Sequence, residues 1–162
     1  MAKPDASCRS VEESGTPVRI VLDADCIVAG TLAKSGSAFE LLELWWAGEL
    51  EIIGCPHLVE EVRKTLLAPR IANKYAITDL EVEALCAQLS DRGLIYADPE
   101  DPPRVVIGDP DDDYLIALGL QAHAEALVTR DSHFEDVKVE GLPIMYPGQL
   151  LTALHSQKDP DG

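Results

Sequence analysis

Short runs of apolar residues alternate with amphipathic stretches along most of the chain. The first run, Val18–Leu22, is β-branched and almost wholly apolar, which is typical of a strand buried on both faces. Later runs are similar, and patterns of helical period separate them. The predicted strands are 18–22, 50–53, 94–96, 105–107, 126–129 and 143–145, and the predicted helices are 38–46, 56–67, 78–92, one capped by Asp109, and 147–154.

Alternation of strands and helices predicts an α/β fold, with three α/β/α layers and a central parallel sheet. Residues 18–154 are expected to form one domain, and residues 1–17 and 155–162 are expected to be flexible tails. Sheets of this kind bind ligands at the carboxyl ends of their strands. Functional residues are therefore expected just after strands or at the starts of the next helices.

Composition and charge narrow the classes of function. The chain has 162 residues, is 46% hydrophobic and carries a net charge of −16, which suits one soluble domain and excludes a simple basic nucleic-acid clamp. The charge leaves open an enzyme that meets nucleic acid through metal ions, because bound cations reverse the local sign of the field.

Cysteine spacing and hydropathy indicate the compartment. The four cysteines form no C-x-x-C pair, which argues against a thiolate zinc site or a redox pair, and Cys26 and Cys55 lie in apolar runs. The sequence shows neither a signal-peptide pattern nor an apolar stretch long enough for a membrane span. A reduced, cytoplasmic protein without membrane contact is expected.

Carboxylates occur at four of the places where functional residues are expected, just after strands or near the starts of the following helices. Asp23 ends the first strand, Glu60 and Glu61 lie one turn into the helix after the second strand, an acidic run spans 109–113, and Asp131 follows the strand at 126–129. Carboxylates at close quarters repel one another, and Mg²⁺ and Mn²⁺ prefer shells made entirely of oxygen. The pattern therefore predicts a divalent metal site that hydrolyses a phosphodiester or a phosphomonoester.

Each acid also has a simpler structural interpretation. Asp109 before Pro110 suits a helix N-cap, one of Glu60 and Glu61 must face solvent, and Asp131 alone would suit a turn. Asp23 is the hardest to explain in this way, because an ionised group directly after a buried strand destabilises the fold unless it is paired.

Four motifs resemble those of PIN domains. The run VLDADCIVAG at 21–30 resembles their opening V-L-D-T-N motif, and CPHLVEEVR at 55–63 matches their second motif, whose acid falls on Glu61. The run GDPDDDYLIA at 108–117 resembles a D-P-x-D-[ND]-x-x-L-x-A motif, and LVTRD at 127–131 resembles h-[VI]-[TS]-x-D. Order and spacing fit from about residue 18 to residue 154, and the resemblance is greatest to bacterial toxin components of toxin–antitoxin pairs (VapC-like).

That resemblance implies an Mg²⁺- or Mn²⁺-dependent endoribonuclease, which hydrolyses RNA phosphodiesters through a metal-activated water. It implies Asp23, Glu61, Asp112 and Asp131 as catalytic and metal-site acids, with Asp113 as the alternative third acid. By the same resemblance, Thr129 would orient a water or an oxygen of Asp131.

The resemblance also implies partners. RNA is the substrate, and an antitoxin would cover the acidic cleft and insert an Arg or Lys; an apolar helix surface near Trp45 and Trp46 suggests a homodimer. Two positions depart from the family pattern: Asp25 stands in place of Asn, and Arg130 stands in place of a frequent Gly. Arg130 would either hold a phosphate or partly neutralise the site.

Two other functions remain open at this point. Asp23 and Asp25 fit the D-x-D motif of haloacid-dehalogenase phosphatases, as nucleophile and acid, although no Thr or Ser ends the second strand and Asp131 would have no role. The departures at Asp25 and Arg130 also allow a catalytically inactive PIN-like module that binds a partner protein.

Overall fold

The computed structural model describes residues 17–100 and 113–158. Within these ranges a parallel sheet of five strands lies at the centre, in the spatial order β3-β2-β1-β4-β5. The strands are β1 (Val18–Leu22), β2 (Leu50–Gly54), β3 (Leu94–Ile95), β4 (Ala126–Val128) and β5 (Ile144–Met145).

Helices cover the sheet, and the described ranges contain seven of them together with one 3-10 turn at Ser132–Phe134. The predicted α/β fold with a central parallel sheet is confirmed. The helices are α1 (Ala24–Leu32), α2 (Ser37–Trp46), α3 (Pro56–Leu67), α4 (Pro69–Tyr75), α5 (Asp79–Arg92), α6 (Asp113–Gln121) and α7 (Pro147–Lys158).

The strand order places a crevice next to β1. From β1 the chain moves outward through β2 to β3 and then returns to β4 on the other side of β1. Leu22 of β1 aligns with Val128 of β4, and both side chains are fully buried. A reversal of this kind opens a crevice at the carboxyl ends of the two central strands, which is where Asp23 and Thr129 follow β1 and β4.

Two helices were not predicted. Helix α1 is apolar on most sides and carries no clear amphipathic pattern, because it packs into the core with Cys26, Ile27 and Val28 buried. The signal for its start is Asp23, whose side chain caps it. Helix α4 also lies outside the predictions, and the signal for it is Pro69 at its first position.

Other boundaries and faces differ in detail. The sequence places Phe39, Leu42, Trp45 and Trp46 on one face of α2, but the buried residues are Leu41, Leu42 and Trp45, and Trp46 is 38% exposed. At about 100° per residue, the three buried side chains span an arc of about 100°, and Trp46 lies about 140° from Leu41, outside that arc.

The ends of the described ranges bear on three other predictions. Helix α7 continues to Lys158, so residues 155–158 of the predicted tail are helical. The predicted strand 105–107 and the Asp109 cap lie outside the described residues. None of the described helices is both long enough and apolar enough to cross a membrane.

Candidate functional site

Four acidic side chains line one cleft at the carboxyl ends of β1 and β4. This carboxylate cleft has a volume of about 260 Å³. Three of the predicted site residues, Asp23, Glu61 and Asp131, come together there. The cleft is lined by Asp23, Ala24, Asp25, Glu61, Lys64, Thr65, Leu115 and Asp131.

Asp23 is the most buried acid of the cleft. It is only 6% exposed, and its backbone N–H donates to the carbonyl of Val128 at 3.1 Å. Its Oδ1 caps α1 by accepting the N–H of Cys26 at 2.8 Å, and its Oδ2 accepts the hydroxyl of Thr129. Burial raises the pKa of Asp23, and the hydrogen bonds from Thr129 and Cys26 offset only part of that rise. Ionised Asp23 therefore costs the fold free energy that a cation in the cleft would return.

Thr129 connects the two central strand ends. Its hydroxyl donates to the carboxylate of Asp23 and accepts the backbone N–H of Asp131 at 3.0 Å. Asp131 in turn accepts the backbone N–H of His133 at 2.9 Å, which caps the 3-10 turn, and His133 Nδ1 lies 3.2 Å from the same oxygen. Thr129 therefore contacts Asp23 and the backbone of Asp131, whereas the predicted contact is with a water or an oxygen of Asp131, and its orienting role stays a prediction.

Glu61 reaches the cleft from α3 and is held by two aromatic rings. The hydroxyl of Tyr114 donates to Glu61 Oε1, and His57, one helical turn earlier, places Nε2 3.9 Å from Oε2. The rings of His57 and Tyr114 meet edge to face with centroids 4.5 Å apart. Glu60 points away and pairs with Arg63.

The contribution of His57 and Tyr114 was missed at the sequence level. The spacing of four residues between His57 and Glu61 places both side chains on one helix face and is a signal that could have been used. Tyr114 comes from a segment distant in sequence, and no local pattern links it to Glu61.

The third predicted acid is only partly described. Asp112 lies outside the described residues, and Asp113 is the first residue of α6 with a side chain 1% exposed. Asp113 lies two residues before Leu115, which lines the cleft. The choice between Asp112 and Asp113 stays a prediction.

The basic residue in the carboxylate cleft is not the one expected from the sequence. Arg130 was expected to stand beside the acids, but it lines a separate cleft, whereas Lys64, one turn beyond Glu61, lines the carboxylate cleft. Successive residues of an extended segment point to opposite sides, so Asp131 and Arg130 face different clefts. Lys64 is exposed, and it forms no ion pair with Asp23. Among the described residues, no basic side chain pairs with the buried carboxylate of Asp23.

The donor chemistry of the cleft suits a hard divalent cation. The cleft is lined by four carboxylates, and Mg²⁺ and Mn²⁺ prefer oxygen ligands of this kind. Among residues 17–100 and 113–158, however, no three His, Cys, Asp or Glu side chains are already arranged to hold a metal ion together. The cleft therefore fits such an ion in the kind of donor, and binding would require the carboxylates to move closer to one another.

Comparison with known proteins agrees with the fold. A family model described as PIN domain matches residues 19–133 of the chain. Among solved structures, the chain is similar to the crystal structure of PAE2754 from Pyrobaculum aerophilum, with 16% sequence identity and a TM-score of 0.57. That similarity covers 86% of this chain and 91% of the other, and at this identity it concerns the fold alone. No curated protein matches the chain.

Proposed function

Because the chain belongs to the PIN domain family, a nuclease-type fold, we propose that it is a divalent-metal-dependent endoribonuclease acting on single-stranded RNA. The observation that carries the proposal is that Asp23, Glu61 and Asp131, from three separate segments, line one cleft at the switch point of the sheet. Three converging carboxylates are the donors that a phosphodiester hydrolase needs for its metal.

The metal ligands would be Asp23, Glu61 and Asp131, with Asp112 or Asp113 as a further acid. The cofactor we propose is Mg²⁺ or Mn²⁺. When bound, such an ion shields the charge of the phosphate and lowers the pKa of a coordinated water. The pKa of Asp23, which burial raises, supports this assignment, since a cation restores the ionised form.

The chain's own residues hold these ligands in place. Thr129 donates to one oxygen of Asp23 and accepts the backbone N–H of Asp131, so it links the two segments that carry these acids. Tyr114 restrains Glu61 through its hydroxyl. Lys64 offers an ammonium group at the mouth of the cleft, where it can neutralise a phosphate that enters.

Cleavage of a labelled single-stranded RNA by the full chain, with Mn²⁺ or Mg²⁺, tests the proposal. Glu61→Gln is the test variant and Glu60→Gln its matched control, because the two are neighbours but only Glu61 lines the cleft. Loss of a metal ligand is expected to lower the cleavage rate by about 100-fold or more, and the control is expected to keep wild-type activity. Equal activity of both variants would contradict the assignment.

The phosphatase interpretation is disfavoured by the surroundings of Asp23. Asp131, which has no role in that interpretation, lines the same cleft as Asp23. The PIN family match also spans this segment. Trapping of a beryllofluoride adduct on Asp23 would reverse this preference.

Within this function we further propose that the chain is the toxin of a cytoplasmic toxin–antitoxin pair. The acidic lining of the cleft and the net charge of −16 support an antitoxin that inserts an Arg or Lys. Trp46, 38% exposed on α2, supports a homodimer contact. Growth arrest on expression, relieved by Asp131→Asn, is the expected result, and growth unaffected by the wild-type chain would count against a toxin.

A further inference from the structure

A second cleft, of about 550 Å³, is lined partly by helix α1, which also lines the carboxylate cleft. The end of α1, the turn that follows it and the starts of α2 and α7 form its walls. Arg130, Ser35, Ser37 and Tyr146 contribute its polar side chains, and among residues 17–100 and 113–158 its lining includes no carboxylate.

Arg130 is available to an anionic ligand. Its side chain is exposed, and no ion pair joins it to a carboxylate in the part of the chain that the structure describes. Arg63, by contrast, is engaged by both Glu60 and Glu83. The hydroxyl of Tyr146 donates to Glu135 at 2.7 Å and so turns its polar atom toward that acid. The guanidinium and the two serine hydroxyls are therefore the groups that can receive a ligand.

The two clefts adjoin along α1 and along the end of β4. Asp25 lines the carboxylate cleft, and Ala29, one turn further along the same helix face, lines the second cleft. Four residues of helix span about 6 Å. Asp131 and Arg130 are sequence neighbours that face the first and the second cleft. Helix α1 and the segment Arg130–Asp131 thus each contribute residues to both clefts, so a strand bound at the carboxylates can continue toward Arg130.

We propose that the second cleft binds a backbone phosphate of the RNA next to the cleaved bond, with Arg130 as its principal contact and Ser35 and Ser37 as hydrogen-bond donors. This inference rests on the proposed ribonuclease function and names how the substrate is held. The small side chains of Ala29 and Ala33 leave room for a sugar beside the phosphate. Because the contact is to phosphate, it should be independent of base sequence.

The test compares Arg130→Ala with Arg130→Lys and with Arg70→Ala, an exposed arginine that lines neither cleft. Binding of labelled single-stranded oligouridylate and oligoadenylate to the full chain is measured by fluorescence anisotropy with Ca²⁺ at several salt concentrations. Cleavage is followed in parallel with Mn²⁺.

We expect Arg130→Ala to weaken binding by about tenfold for both oligonucleotides and to reduce the salt slope by about 0.7, the value for one single-strand phosphate contact. KM should rise while kcat stays near wild type, and Arg130→Lys should recover much of the loss. Arg70→Ala should match wild type.

The outcomes distinguish failure of the phosphate cleft from failure of the proposed ribonuclease function. Binding that depends on Arg130 without any cleavage would overturn the ribonuclease proposal and leave the phosphate cleft standing. Cleavage and binding unchanged by Arg130→Ala would overturn the phosphate cleft alone. If a polyglutamate peptide, but not RNA, binds in an Arg130-dependent way, the cleft recognises protein carboxylates and the inference is wrong. If Arg130→Ala and Arg70→Ala weaken RNA binding equally, the effect comes from overall charge, and the proposed phosphate cleft is refuted.

Discussion

Replacing Asp23 by Asn should stabilise the metal-free protein at neutral pH, although Asp23 is a central residue of the proposed site. The carboxylate is 6% exposed, and burial raises its pKa above the ordinary value of 3.8 even with hydrogen bonds from Thr129 and Cys26. The cost of burying the charge therefore exceeds what these hydrogen bonds return. Asn removes the charge and keeps the oxygen that caps α1, because Asn and Asp are equally good N-caps.

The direction follows from linkage, and a single stabilising substitution commonly gains about 0.5–2 kcal/mol. We expect Asp23→Asn to gain an amount in this range at pH 7, or roughly 2–6 °C in melting temperature. A raised carboxylate pKa means that the folded state favours the protonated form. Its stabilising effect is complete below the unfolded pKa and is lost as pH rises through the folded pKa. The advantage of Asn should therefore shrink as pH falls toward 3.8.

The assay is thermal unfolding in EDTA across pH 4.5–8, followed by circular dichroism, and then repeated with Mn²⁺. Asp79→Asn is the control, because Asp79 is exposed in the first turn of α5 and lines neither cleft. Mn²⁺ should stabilise the wild type and have less effect on Asp23→Asn, since an ion that binds only the folded state shifts unfolding by mass action. A lower melting temperature for Asp23→Asn at pH 7 in EDTA would refute the reasoning, because Asp23 would then be held favourably as an anion.

Three further substitutions probe the site and its support. Asp131→Asn should abolish RNA cleavage with the fold intact on circular dichroism, since Asn keeps the oxygen that accepts the His133 N–H; undiminished cleavage would contradict a ligand role. Tyr114→Phe removes the hydroxyl that restrains Glu61. It should lower the cleavage rate about 10-fold and raise the Mn²⁺ concentration needed for cleavage. An unchanged Mn²⁺ dependence would contradict the inference that Tyr114 positions Glu61. Gly30→Ala brings a methyl group within 2.7 Å of the Ala38 carbonyl oxygen. It should lower the free energy of unfolding in urea by about 1–3 kcal/mol, and no measurable loss of stability would contradict this prediction.

The sequence predicts most of the sheet because its strands are buried on both faces. The run at 18–22 coincides with β1, and the capping box that opens α5 at Thr78 is present with both of its hydrogen bonds. Burial also explains why helix α1 was not predicted. A helix that is buried on most sides is apolar on most sides, so it lacks the periodic polar face by which a surface helix is recognised.

The acids of the site were predictable because strand ends in a parallel sheet converge, which needs only the order of elements. The contacts that position them were not predictable. Tyr114 and Glu61 are separated by 53 residues, and their meeting depends on how α6 packs beside α3. Lys64 took the place expected for Arg130 because the direction of a side chain depends on backbone geometry that adjacency in sequence does not determine.

Charge distribution explains how so acidic a chain could bind a polyanion. At long range a net charge of −16 repels RNA, and salt screens that repulsion beyond about 10 Å. Among the described residues, the two clefts carry four carboxylates and two basic groups, Lys64 and Arg130, so a bound cation is needed before a phosphate is attracted there. In the proposed function, the acidic surface would act against nonspecific binding, and RNA would bind where the cation, Lys64 and Arg130 contact its phosphates. Affinity would thus come from a few local contacts and the bound cation, and the rest of the surface would favour release of the product.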